Sequence, residues 1–172
     1  TLIELLVVTS IIVLLTALTL PNYRASDKQL ALQRAAHKLA QDLRRTQEMA
    51  ASMKEYTCPE GSPFPELKGY GMYFCNPSFF SCPNTYYLLV KCGNGSEINF
   101  TLENIDLEKG VKISDIKLDD VSSPNPKVFF YPPDPETDLG GATEAKIILS
   151  LESDLSKTKT ISVNKVGLIS VE

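Results

Sequence analysis

Residues 1–24 read TLIELLVVTSIIVLLTALTLPNYR, and every position from Leu2 to Leu20 except Glu4 is apolar or bears a hydroxyl. As a helix these 19 residues span about 28 Å, close to the thickness of a hydrocarbon core. A secretory signal peptide would carry a basic start and a small-residue cleavage site. Here no Lys or Arg precedes Arg24, and no small-x-small site closes the run. An ordinary membrane anchor fits everything except Glu4. A carboxylate inside a bilayer costs roughly 2.5–3.5 kcal/mol on insertion scales, so such a residue calls for a partner. The nearest cation is an amino terminus, its own or a neighbour's.

Pro21 removes one helical hydrogen bond and loosens the turn before it. Past it the pattern turns amphipathic. Leu32, Ala36, Leu39, Leu43, Thr46 and Ala50 fall on one stripe of a 3.6-residue helix. Between them lie Gln33, Arg34, Lys38, Gln41, Asp42, Arg44, Arg45 and Glu48, read as a solvated or partner-facing side. No glycine occurs before Gly61, so the pattern predicts one helix from about Thr1 to Met53 or Lys54. With Ser26 and Asp27 as local competitors for backbone donors, residues 14–23 are expected to be its weakest part and to loosen when copies bundle. The chain divides into a hydrophobic segment, 1–23, an amphipathic helix, 24–54, and a head, 55–172.

The net charge of −4 over 172 residues hides an asymmetry. Residues 1–54 carry seven Lys/Arg against four acids, and the remainder ten against seventeen, so a basic arm joins an acidic head. Arms packed among heads would attract one another, within the reach that salt allows. An acidic head disfavours a nucleic-acid partner held through its phosphates.

The quoted stretch, Pro21 in LPNYR and the run LAQDLRRTQEMA together resemble the mature N-terminus of the type IV pilins and the type II secretion pseudopilins. Their motif is F-T-L-x-E, onto which Thr1, Leu2 and Glu4 map, with the leading Phe absent from this sequence. The resemblance covers the first third of the chain. It implies processing by a prepilin peptidase, N-methylation, residence in the inner membrane, and extraction by assembly machinery into a helical filament. It also implies that Glu4 neutralises the amino terminus of an adjacent subunit.

The head reads as strands. GYGMYF (69–74), TYYLLVKC (85–92), EINFTLE (97–103), GVKISDIKL (110–118), KVFFY (127–131), AKIILSLES (145–153) and KTISVNKVGLISVE (159–172) are rich in aromatic and β-branched residues. The last folds back as a hairpin around Lys165-Val166-Gly167. With no helical segment between them, these strands predict an antiparallel sheet covering the apolar stripe, an α+β fold. Residues 122–126 and 131–143 read as exposed loops. Asp134, Glu136 and Asp138, with Asp119 and Asp120, are weak calcium candidates, since no Gly-centred twelve-residue cage is present.

Cys58, Cys75, Cys82 and Cys92 are spaced too widely for a C-x-x-C metal site and read as two disulfides made in an oxidising compartment. If 70–75 and 86–92 form a hairpin, Cys75 and Cys92 lie at opposite ends of it and cannot meet. Cys75–Cys82 and Cys58–Cys92 are the expected pairs. His37, the sole histidine, sits on the helix beside the apolar stripe; no nucleophile–base constellation or phosphate loop is present, and no enzyme is expected. Asn94 and Asn99 begin glycosylation sequons. Three functions remain: a pilus subunit, major or minor; a pseudopilin driving export; or an anchored enzyme or receptor. The disulfides and proline-rich loops favour a surface pilus, whose uses include adhesion and motility.

Overall fold

The computed structural model describes the chain apart from residues 59–65, 81–83, 94–97, 125 and 133–135, and apart from the side chains of residues 18–25 and 136. One helix, α1 (Leu2–Ala51), takes up the first 50 helical residues without a break at Pro21, about 75 Å of rod. It stops where Met53 takes a positive φ of 47° and the Lys54 N–H reaches back to the Met49 carbonyl at 3.1 Å.

The expected single sheet is in fact two. β1 (Leu67–Phe74), β2 (Thr85–Cys92), β3 (Ile98–Asp106), β6 (Lys127–Tyr131) and β7 (Glu136–Asp138) form a five-stranded sheet in the order β3-β2-β1-β6-β7. β4 (Val111–Leu118), β5 (Val121–Ser122), β8 (Glu144–Leu151), β9 (Asp154–Asn164) and β10 (Ile169–Val171) form the other, in the order β10-β9-β8-β4-β5. All pairings are antiparallel. The segment expected as strand to residue 153 ends at Leu151, and β9 begins at Asp154. β7 lies inside the stretch 131–143 that reads as loop.

The second half of α1 packs against strands of both sheets, β1 and β6 of the first and β8, β9 and β10 of the second. That is why its buried stripe is wider than the sequence spacing implied. Ala35, Ala40 and Met49 are buried along with Leu32, Ala36, Leu39, Leu43, Thr46 and Ala50. The sheets answer with Tyr70, Met72, Phe74, Tyr86, Val128 and Phe130 from the first, and Ile147, Leu149, Ile161 and Val163 from the second.

A bulge in β4 decides which residues face this core. Ile113 pairs with Leu149, but Asp115 pairs with Ile148, so Ser114 is an extra residue. Strict alternation from Val111 and Ile113 would turn Asp115 inward; the bulge turns it out and buries Ile116 instead. Asp115 then meets the wholly buried Asn76, just past the end of β1. The Asn76 amide donates to Asp115 Oδ1 at 3.0 Å, to the Ile116 carbonyl at 3.1 Å and to the Ser123 carbonyl at 2.8 Å. The two sheets are latched there by polar contacts.

Burial by itself would raise the Asp115 carboxyl. Donors from Ser122, Asn76, the Ile116 N–H and Ser78 outweigh it and hold the group below its ordinary range. A folded value below the unfolded one means that the unfolded chain binds the extra proton, so this contribution to stability is present at neutral pH. It is lost as pH falls through the depressed value. Urea unfolding at pH 7 and pH 3 is expected to show a smaller acid-induced loss for Asp115→Asn than for the native chain. Equal losses would remove the latch from the account.

The β1–β2 pairing sets Leu67 opposite Cys92, and Cys58 bonds to Cys92 with the Cα atoms 6.2 Å apart. Replacing both by serine is expected to lower stability by about 2–4 kcal/mol, read by denaturant unfolding of the oxidised protein. An unchanged midpoint would show that the bridge constrains little.

Candidate assembly surface

The chemistry of this molecule lies on the surface of α1. Every large apolar side chain from Leu2 to Leu15 is at least half exposed, from 50% at Ile11 to 84% at Leu2. The few hydroxyls in this stalk turn back on the helix. Thr9, Ser10 and Thr16 donate to the carbonyls of Leu6, Val7 and Ile12 at 3.0, 2.9 and 2.7 Å. The rod therefore shows an apolar exterior on all sides, and nothing in one copy covers it. Among the described residues no helix is long and apolar enough to cross a membrane. The span read from Leu2 to Leu20 runs into residues 18–25, whose side chains lie outside the description.

Glu4 breaks the apolar exterior. Its Oε2 accepts from the Thr1 amino group at 2.7 Å and from the Thr1 hydroxyl at 3.2 Å. In a single copy the carboxylate is thus held by Thr1 in the first turn of its own helix. Both groups are more than three-quarters exposed, so the pair is open to exchange with a neighbour.

Further along, the polar side of α1 is not simply solvated or kept for a partner. Arg34 grips Glu108 with Nη2 at 2.6 Å and Nε at 3.1 Å from Oε1, while Lys38 donates to the Asp106 carbonyl at 3.3 Å. Arg45 pairs with Glu103 at 3.2 Å, and Arg44 and Gln47 donate to the carbonyls of Ile169 and Gly167. Asp42 accepts from the Tyr86 hydroxyl at 2.5 Å. Burial first, then that carboxylate, raises the phenol and keeps it a donor. The basic arm meets the acidic head within one chain, which sequence order alone does not reveal.

The calcium candidates are dispersed. Asp134 lies outside the described residues, as does the side chain of Glu136. Asp138 accepts from the Gly140 N–H at 2.8 Å and from the Tyr131 hydroxyl at 3.3 Å. Asp119 and Asp120 are the two central residues of the β4–β5 turn, with φ of 47° and 64°, a conformation aspartate tolerates. Asp119 accepts from Thr143 and Glu144, and Asp120 pairs with Lys146 at 2.8 Å. Among the described residues no group of three or more His, Cys, Asp or Glu could hold a metal.

His37 is exposed on α1, and Asn99 is exposed on β3, while Asn94 lies outside the described residues. Cys75 is disulfide-bonded, and Cys82, its expected partner, is likewise outside them. The polar latch at Asn76 had no sequence motif to announce it. An asparagine directly after a strand and a cysteine was the sole signal.

No known family's sequence profile matches the chain, and no curated protein matches it. Among solved structures, it is similar to the type IV minor pilin FimU of Pseudomonas aeruginosa strain PAO1. In one crystal form the TM-score is 0.51 at 15% identity, covering 82% of this chain and 87% of that one. A second crystal form of FimU gives 0.49 at 15% identity, covering 82% and 92%. With its long helix laid against antiparallel sheets, this chain has the fold of the type IV pilins.

Proposed function

We propose that the chain is a structural subunit of a type IV pilus, polymerising through its N-terminal helix into a surface filament. The observation that carries this reading is the division of α1. Its second half is sealed against the head, whereas its first presents an apolar rod to whatever surrounds it. Water is a poor surrounding for that surface. A bilayer before assembly and a bundle of identical rods after it are good ones. The partners are then other copies of the chain, the inner membrane, a prepilin peptidase and the assembly machinery. A nucleic acid held by the acidic head is not among them, and no catalytic step belongs to this role.

In the bundle, Glu4 pairs with the amino terminus of an adjacent copy, and the turns before Pro21 loosen so that the rod can extend. A minor subunit, at the tip or at initiation, is the second reading. It is favoured by the likeness to a protein named as a minor pilin. A pseudopilin of a type II secretion system would use the same rod. Electron microscopy of sheared surface fibres, with mass spectrometry of the N-terminal peptide, tests all three. Abundant fibres made of this chain support the major subunit, and trace amounts within fibres of another protein support the minor one. Absence from every fibre removes the pilus reading.

A further inference from the structure

Phe79 and Phe80 stand side by side on the head, each 50% exposed. Neither is on a loose loop. Their N–H groups both donate to the Asn76 carbonyl, at 3.1 and 3.2 Å, and the Ser78 N–H donates to the Asn76 side chain at 3.0 Å. Asn76 is itself locked to the second sheet, and the adjacent Cys75 is in a disulfide. Two half-exposed aromatic rings on a backbone already fixed by folding offer a partner apolar area at a reduced ordering cost.

Their place in the fold says which partner. At one end of β1 the Tyr70 hydroxyl reaches Lys54, past the end of α1. At the other end Phe74 pairs with Tyr86, which reaches back to Asp42. β1 therefore runs towards the stalk, and Phe79–Phe80 lie on the loop closing the stalk-ward end of the first sheet. The far end of the head carries a second braced apolar projection. In the β9–β10 turn, Val166 is 82% and Leu168 67% exposed. The Asn164 side chain holds both of their N–H groups, at 3.1 and 2.9 Å, and Gln47 of α1 holds the Gly167 carbonyl. Lys165 flanks this tip as an exposed cation, in a head whose net charge is negative.

If rods bundle in parallel, all copies point the same way. Heads displaced along the axis then meet stalk-ward end to far end. That contact joins two different surfaces and does not close on itself, the kind that generates open helical assemblies. We propose that the Phe79–Phe80 knob of one copy packs on the Val166–Leu168 tip of a second, axially displaced copy. This contact rests on the filament reading and gives it a specific interface between heads.

The test uses the full chain with the photo-reactive residue p-benzoylphenylalanine in place of Phe80, assembled from a mixture of isotope-labelled and unlabelled copies. Irradiated fibres are expected to yield a mixed-isotope adduct joining the peptide of residue 80 to that of residues 165–169. Adducts only with residues 2–15, only with lipid, or none at all, in fibres that do form, overturn the head-to-tail contact and leave the filament reading standing. Failure of the unsubstituted chain to enter any fibre overturns both. In parallel, Phe79→Ser with Phe80→Ser, and separately Val166→Ser with Leu168→Ser, are each expected to cut fibre yield about tenfold, the effect of losing one interface hot spot. Their urea midpoints should match the native chain. Native yields from both pairs would also overturn the contact.

Discussion

Gly71→Ala is expected to cost about 3 kcal/mol of head stability, the upper end of the range for overpacking a closed site. Gly71 lies in the middle of β1, directly opposite Phe129 of β6. The Phe129 ring, itself almost fully buried, lies across it. A Cβ built at Gly71 would overlap Phe129 Cδ1 and stand 2.7 Å from the Val128 carbonyl oxygen. A ring can turn away from the first clash, but backbone inside a sheet cannot yield to the second without breaking ladder hydrogen bonds. Gly71→Ala combined with Phe129→Leu should therefore recover only part of the loss. A drop below about 1 kcal/mol in urea unfolding, or full recovery in the double variant, would show that β1 and β6 have more room than this geometry allows.

The second large effect is on assembly. Glu4→Val should leave the head's unfolding midpoint unchanged, since position 4 lies about 42 Å of helix away from Leu32, where burial begins. Membrane insertion should improve if anything, because a carboxylate has been removed from an apolar segment. Fibre yield is nevertheless expected to fall at least about tenfold, the effect of losing roughly 1.4 kcal/mol at one contact. An apolar rod without a charge can slide against its neighbours with little penalty, so its register is poorly defined. One buried carboxylate that must find one cation selects a single offset. Normal fibre yield from Glu4→Val would refute that role.

How much of this was legible from the sequence depended on whether a residue's surroundings lay nearby in the chain. The helix, its apolar half and its Leu32-to-Ala50 stripe follow from spacing alone. So does the hairpin that brings Cys92 level with Leu67 and so within reach of Cys58. Residues 154–158 (DLSKT) did not read as strand, because all of them are exposed and no alternation of burial marks them. Glu136–Asp138 are three polar or acidic residues in a proline-rich stretch, and only pairing with β6 makes them a strand. Asp115 could be placed only once the bulge at Ser114 was known. The same holds for the cations of α1. Arg34 and Arg45 look like solvated charges until chain folding brings Glu108 and Glu103 beside them.

Because the buried face of α1 contacts strands of both sheets along its second half, the join between rod and head has a mechanical character. Tension applied to the rod enters the head parallel to the helix, and strands of both sheets must slip past its buried face together before it can leave. The load is spread over some twenty residues in shear. Nowhere is it concentrated on a single contact that could peel open first, and at the far end the covalent bridge from Cys58 to the sheet remains engaged after the non-covalent contacts have begun to yield. A rod held this way transmits a pull along the chain of subunits without passing it through one weak point.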